Sequence, residues 1–594
     1  TTLGVSNPPA GGTTVLTLGA VGQSGGPRNL AKNGNGTLIL NGAGALTGEV
    51  NINEGTATVS ILAAGAGTTS GLGNLMVARN VTVNSGAVLA LTINNALNNG
   101  TVPAAAIVVN SGGKLTASRY NSIGPLVLNG GTLENAVPAG TDANYDGWYF
   151  QGLVTVGGSS PSVILTTTNR MNRLGAGSTF YVADATGDTN SDLLVTAPLG
   201  DRPNSAGAGE LIKSGPGTME LTSVSNTYSG ATTINGGILK ANSPAGSATG
   251  SGAVYVNSGG TLGGSGVVAG AVTVNAGGHI APGNSVGDDT VGSLTLNTDS
   301  ILDFEFNATP TNDTIVVTNS GGLAINSGGV NLYVENTTTP WATKGTYNLI
   351  GFSGALGGGG GANLTVLNPQ AGLSYGFTTN AGWIVLTIAS ANNWTGGGGD
   401  ANWQTGGNWG GTAPATNDSL VFGEPGALQV TNNNDFPANT RFSGITFTNS
   451  SYTLDGNAVN LVGNVAGRGG NDQTLNLPLV LDNGSRTFSS DGGTTTVNGA
   501  ISDSGGSWGV TKTGAGALTL AGPNTYGGAT VVNGGLLRLT GTIVPTTNFT
   551  ISAGADAEAA SGFTVNNGAL QIVSNRVSAS GGTLTVGGSS QTNT

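Results

Sequence analysis

Cysteine is absent from this chain, histidine nearly so, and charge is sparse; each shortage removes a class of protein. With 0 Cys among 594 residues, neither disulfide staples nor thiolate metal sites can be built. The one histidine, His279, leaves a His-based triad or a zinc site without partners. Charged residues make up 8% of the chain, with 17 basic side chains and a net charge of -12. A nucleic-acid surface needs clustered Lys and Arg to displace counterions, and no such cluster exists, so nucleic acid is excluded as a partner. No stretch reaches the roughly 18 consecutive apolar residues of a membrane helix. The first residues also lack a charged and then apolar leader, so any signal peptide is expected to have been removed already.

Helix signals are equally scarce, because Gly and β-branched residues recur at short intervals throughout. What the chain has instead is 107 Gly and 37% hydrophobic residues, with Val, Ile and Leu in regular alternation. That alternation excludes the disordered class, and glycines without a three-residue period exclude collagen. The recurring unit is a short alternating run, then Asn, a small residue and Gly, then another run. VTVNSGAVLAL from Val81, IVVNSGGKLTA from Ile107 and VTVNAGGHIAPG from Val272 are examples. Period-two alternation puts the aliphatic residues on one face and Thr, Ser and Asn on the other. Asn and Gly both tolerate positive φ, so the Asn-x-Gly step is read as a sharp turn.

Self-similarity sets the architecture. KTGAGALTLAGPNTYGGATVVNGGLLRL, residues 512–539, repeats KSGPGTMELTSVSNTYSGATTINGGILK at 213–240, and a more divergent copy runs over 32–59. Lys32, Lys213 and Lys512 coincide, as do Gly48, Gly230 and Gly528. The turn motif returns in one orientation every 18 to 26 residues, as from Asn257 to Asn275 and from Asn84 to Asn110. Hairpins of a sandwich would alternate direction; a constant direction calls for a three-sided parallel coil of about 22 residues per circuit, with stacked strands about 4.8 Å apart. The fold class is therefore all-β, a parallel β-helix or β-solenoid.

The K-x-G-x-G-x-L-x-L, N-T-Y-x-G-x-T and N-G-G-x-L pieces resemble the autotransporter-associated β-strand repeat of bacterial secreted passenger proteins. GGTLGGSGVVAGAVTVNAGGHIAPGNSVG, residues 259–287, is similar to the linker that commonly follows such repeats. The resemblance implies a right-handed parallel β-helix, extracellular or on the bacterial surface, and usually without catalysis. Nothing after Thr540 resembles a translocating barrel, so a processed passenger, a fragment or another secretion route is expected. A boundary is read near residue 390, where GWIVLTIAS closes one stretch and the Trp- and Gly-rich ANNWTGGGGDANWQTGGNWGG opens another. Two consecutive solenoid units follow: 1–390, and 391–594 opening with a cap-like segment.

Few residues offer chemistry. His279 reads as a turn residue, and Asp303 with Glu305 as a solvent face rather than the paired carboxyls of a glycosidase. Asp142, Asn144 and Asp146, followed by Gly147, form the first half of a calcium loop without its closing carboxylate, and Asp188, Asn190 and Asp192 repeat the spacing. An ordinary solvated loop competes with calcium at both. Trp394, Trp403 and Trp409 could stack on sugar faces or plug the open end of the second coil, and the plug is favoured. No catalytic residue and no cofactor other than calcium is expected. The leading expectation is a non-catalytic structural rod assembling with itself into a surface fibre, sheath or layer. Its alternative is a passenger-type adhesin binding glycans or cell-surface proteins.

Overall fold

The computed structural model describes the chain apart from residues 8–11, 62–68, 98–101, 139–146, 204–206, 309–310, 371–372, 424–426, 449, 543–548, 553, 560–563, 567–569, 573–576, 580–584, 588–591 and 594. From residue 559 onward the structure describes the backbone alone. The described residues contain short β-strands and two 3-10 turns, with no α-helix. Nearly every strand pairs in parallel with its equivalent one circuit later, so the chain is a parallel β-solenoid. It divides into two compact units, Thr1–Thr339 with Ile350–Gly359, and Pro340–Leu349 with Gly360–Thr594. That division falls earlier than residue 390, because Leu373–Asn380 pairs antiparallel with Trp383–Ser390 within the second unit.

In the first unit one sheet climbs from Thr2–Gly4 through Ile107, Leu126 and Val154 to Leu323–Ile325, and a second runs from Val15–Leu18 to Gly328–Val334. A third side carries a four-stranded sheet at Asn121–Ile123, Trp148–Phe150, Asn172–Leu174 and Leu199–Asp201, and further on Val267–Val268, Thr290–Val291 and Val316–Val317 pair in parallel. In the second unit the third side is stranded at Thr440–Phe442, Val459–Leu461, Leu479–Leu481 and Ile501–Asp503. The expected three-sided coil thus has two regular sides and a third that is stranded in places. Elsewhere that side is an irregular bridge, as from Thr222 to Ala231.

Inward side chains stack into columns because parallel pairing keeps register from rung to rung. Ile52, Val83, Val109, Leu128, Val156 and Val182 form one such column, all within 1% of full burial. At about 25 cal/mol per Å² of apolar area, each such side chain contributes roughly 1.5–3 kcal/mol.

The Asn-x-Gly turns work differently from the expectation. Positive φ is taken by the glycine, at Gly86 (74°), Gly112 (75°), Gly259 (78°) and Gly277 (69°), and not by the preceding asparagines. Their amides instead bond one another up the stack: Asn53 to Asn33 at 2.7 Å, Asn84 to Asn53 at 2.8 Å, Asn110 to Asn84 at 2.8 Å and Asn129 to Asn110 at 3.1 Å. A second ladder joins Asn235, Asn257, Asn275, Asn297 and Asn326. An amide has both a donor and an acceptor, so a column of equivalent Asn satisfies itself at the strand spacing. Between the ladders, the residue after the inward side chain is Gly157 and then Ala183 in register with Asn129, and the column lapses.

Candidate functional site

The repeated Lys is an inward residue. Lys213 lies in an otherwise apolar column between Phe180 and Ile234, and Lys512 between Phe488 and Val532; both are fully buried. Gly215 and Gly514, two residues on, adopt φ of 79° and 80° and turn the corner so that its carbonyls face the core. Nζ of Lys512 donates to the carbonyls of Thr513 (2.6 Å), Gly514 (2.8 Å) and, one rung on, Gly534 (3.1 Å). Lys213 does the same at Ser214 (3.2 Å), Gly215 (2.9 Å) and Gly236 (2.8 Å), and Lys32 at Asn33, Gly34 and Glu54. Three ammonium donors meet three acceptors and tie two stacked corners together. Burial pushes Lys213 and Lys512 down to about 8, against the pull of Asp192 and Asp491.

The second conserved piece of the repeat, N-T-Y-x-G-x-T, is also internal. Asn226 Oδ1 accepts the Leu199 N–H at 2.8 Å and its Nδ2 donates to the Ala248 carbonyl at 2.7 Å, which bridges rungs on both sides. Tyr228 and Tyr526 are buried, with hydroxyls 2.7 Å from those of Thr232 and Thr530. Gly230 and Gly528 admit a neighbouring backbone: a Cβ there would lie 2.4 Å from the Gly209 carbonyl oxygen and 2.3 Å from Trp508 C. The Lys, Asn and Tyr that repeat are therefore interior groups that tie rungs together at a corner and along the bridge, while Thr227 and Thr525 between them face outward.

The candidate residues fare unequally. Trp394 and Trp403 are 0% exposed and Trp409 is 6%, with their indole N–H groups donating to Leu428 O, Asn432 Oδ1 and Trp403 O. The rings meet edge to face, Trp394 to Trp409 at 5.1 Å and Trp403 to Trp409 at 6.3 Å, around Phe422. Buried on both faces, they offer nothing for a sugar to stack on, and that candidacy is withdrawn. Asp142, Asn144 and Asp146 lie outside the described residues. Asp188 is exposed and bonded to Asn190. Asp192 is buried, its Oδ1 accepting from Ala185 N, Thr186 N and Thr186 Oγ1, and its Oδ2 from Thr218 N. Its lone pairs thus pin a loop. Among the described residues, no group of three or more His, Asp or Glu is placed to hold a metal ion.

His279 sits in a strand, Nδ1 2.7 Å from Asp303 Oδ2, and not in a turn. That bond raises its pKa against the opposing effect of burial. Asn331 also donates to Asp303, at 2.8 Å. The acid is thereby engaged on an outer face, and this pair carries no catalytic geometry.

A site that sequence reading missed lies on the outer face of the second unit's first sheet. Val421, Thr446, Ala466, Ser489 and Thr513 stack in register on successive rungs, and all are small. Segments 361–366 and 373–377 stand over this column, leaving a groove of about 540 Å³, within the range of ligand sites. Ser374, Tyr375, Thr448, Asn464, Arg468 and Thr487 also line it, and no Asp or Glu does. Tyr375 is half-buried and its hydroxyl accepts the Gln370 N–H at 3.0 Å. Arg468 is exposed and makes no ion pair among the described residues. The one sequence signal was small outward residues on successive rungs, which cannot be aligned without the register.

Comparison with known proteins matches the corner motifs. The passenger-associated-transport-repeat family aligns with residues 30–56, 211–241 and 510–539. Three segments of the chain match the passenger repeat. Each begins just before the buried Lys and ends beyond the N-x-G corner that it binds. Over 371 residues, or 56% of the chain, the passenger-repeat solenoid is also 28% identical to the Adhesin BmaC autotransporter of Brucella suis biovar 1 (strain 1330). It spans 10% of that much longer relative. The resemblance read from the Lys, Tyr and Gly motifs therefore stands.

Proposed function

We propose that this chain is the adhesive portion of a bacterial passenger: a non-catalytic, extracellular or surface-displayed solenoid that binds a target through its second unit. The groove over Val421, Thr446, Ala466, Ser489 and Thr513 carries this reading, since it is a built concavity without paired carboxyls. The passenger repeats and the similarity to an autotransporter adhesin support it. In this reading the two units are consecutive right-handed solenoids, and the repeats supply stiffness while the groove supplies contact. Self-assembly into a fibre or layer, the other expectation, rested on the low charge, the pervasive coil and the lack of catalytic clusters, features that an adhesin shares, and the similarity to an autotransporter adhesin favours the adhesive reading. Beads coated with the purified chain should adhere to host-cell monolayers and to matrix-coated glass, above beads carrying an unrelated β-solenoid. Equal retention of the two bead types on every surface would overturn the proposal.

A further inference from the structure

The groove's chemistry narrows its occupant. Its floor is the face of a parallel sheet, so the backbone N–H and C=O groups beneath are already spent in the ladder. A peptide strand that needs main-chain bonds finds none there. The lining offers instead the hydroxyls of Thr446, Ser489, Thr513 and Ser374, together with the Asn464 amide; Thr448 Oγ1 already donates to the Gly423 carbonyl at 3.2 Å, and Thr487 is buried. The Asn464 Oδ1 already accepts the Thr487 N–H at 2.9 Å, so its free contribution is the N–H₂ donor.

These groups repeat at the rung spacing. Five rungs from Val421 to Thr513 span about 19 Å at about 4.8 Å each. The ring of Tyr375 stands on the wall, and aromatic rings present a flat apolar face with a polar edge. The guanidinium of Arg468 lies at the margin with no carboxylate in the lining to neutralise it, and its planar fork suits a bidentate anion. The floor itself is too small-chained to bury a large apolar side chain, because Ala466 and Ser489 give little area.

We infer that the groove binds a linear, hydroxyl-rich polysaccharide carrying carboxylates, as about four sugar units laid along the rungs, one per strand spacing, with a carboxylate at Arg468. This rests on the adhesin reading and names the target class of the same groove. Hydroxyls meet hydroxyls along the floor, a pyranose face covers Tyr375, and Arg468 selects acidic over neutral chains. Proteins displaying such chains and free polysaccharide present the same chemistry.

The test is titration calorimetry of the full chain with oligogalacturonates and chito-oligosaccharides of two to eight units. Affinity for the acidic series should rise with length to about four or five units and then level, at least tenfold above the neutral series. Arg468→Gln should erase the acidic preference, and Ala466→Trp, which fills the floor, should abolish binding to both series. Circular dichroism and thermal melts establish that each variant is folded. Lys114→Gln, which removes a surface cation of the first unit outside the groove's lining, serves as a second variant that should retain binding and the acidic preference, so loss there too would place binding outside the groove and overturn the assignment. Affinity independent of length, an acidic preference that survives in Arg468→Gln, or no binding of either series would also overturn it. Bead adhesion without oligosaccharide binding would refute this inference while the adhesin reading stood; oligosaccharide binding without bead adhesion would do the reverse.

Discussion

Lys512 and Asp289 occupy the same kind of place, an inward position in an apolar column, and are treated in opposite ways. Lys512 fills its surroundings with three carbonyl acceptors at 2.6, 2.8 and 3.1 Å. Asp289, beside Ile315 on the next rung, is fully buried with at most the adjacent Thr290 N–H beside its carboxylate, and burial raises its pKa to about 7 against that contact. A solenoid interior accepts an ion where the corner supplies its partners, and where it does not, the ion is neutralised instead. The passenger repeat is the first solution written three times.

The largest effect should come from removing the partnered ion. Lys512→Ala leaves a cavity and three bare carbonyls, and should cost the second unit about 3–5 kcal/mol. Lys512→Met keeps the volume and should cost less, about 1–3 kcal/mol for the carbonyls alone. Urea titration read by tryptophan fluorescence reports this unit, because every tryptophan except Trp148 lies in it. Equal midpoints for wild type and Lys512→Ala would break the comparison at its first term.

Asp289→Asn should act with the opposite sign. A carboxyl raised from 3.8 to about 7 in the fold binds its proton more tightly folded than unfolded. Its contribution is thus present below about pH 4 and is lost as pH rises towards 7. The variant, which cannot ionise, should leave stability unchanged near pH 4 and raise it by roughly 2–4 kcal/mol at pH 8. Thermal melts at the two pH values read the difference; a gain as large at pH 4 would mean a packing effect and not a proton.

The smallest effect distinguishes the copies of the repeat from one another. In the two later copies a buried hydroxyl pair, Tyr526 with Thr530 at 2.7 Å or Tyr228 with Thr232, stands where the first copy has Leu46 and Val50, both buried. Tyr526→Phe and Thr530→Val should each cost about 1 kcal/mol, whereas the double variant should cost less than their sum because no orphaned hydroxyl remains. A double-mutant cycle on the urea midpoint measures the coupling, and strict additivity would deny it.

These residues also mark what sequence could and could not yield. The solenoid, its parallel direction and its corners were legible, since alternation, Asn-x-Gly turns and the Lys copies follow directly from strand geometry. Lys512 was legible as a repeated position but not as an interior cation, because its inward position depends on where the strand starts relative to the turn. The Asn ladders were misread as a φ preference, since a single turn does not reveal that its neighbours carry the same amide in register. The uneven third side escaped because bridges such as 222–231 contain no repeated apolar pair. The groove escaped altogether: Val421, Thr446, Ala466, Ser489 and Thr513 are unremarkable in sequence and become a surface only when stacked.

The division between corners that build and a groove that binds is best tested on one surface assay. Beads bearing wild type, Lys512→Met and Ala466→Trp are compared for adhesion under conditions where all three remain folded. The account predicts adhesion retained by Lys512→Met, which alters only the interior, and lost by Ala466→Trp, which alters only the groove. Undiminished adhesion of Ala466→Trp would contradict it.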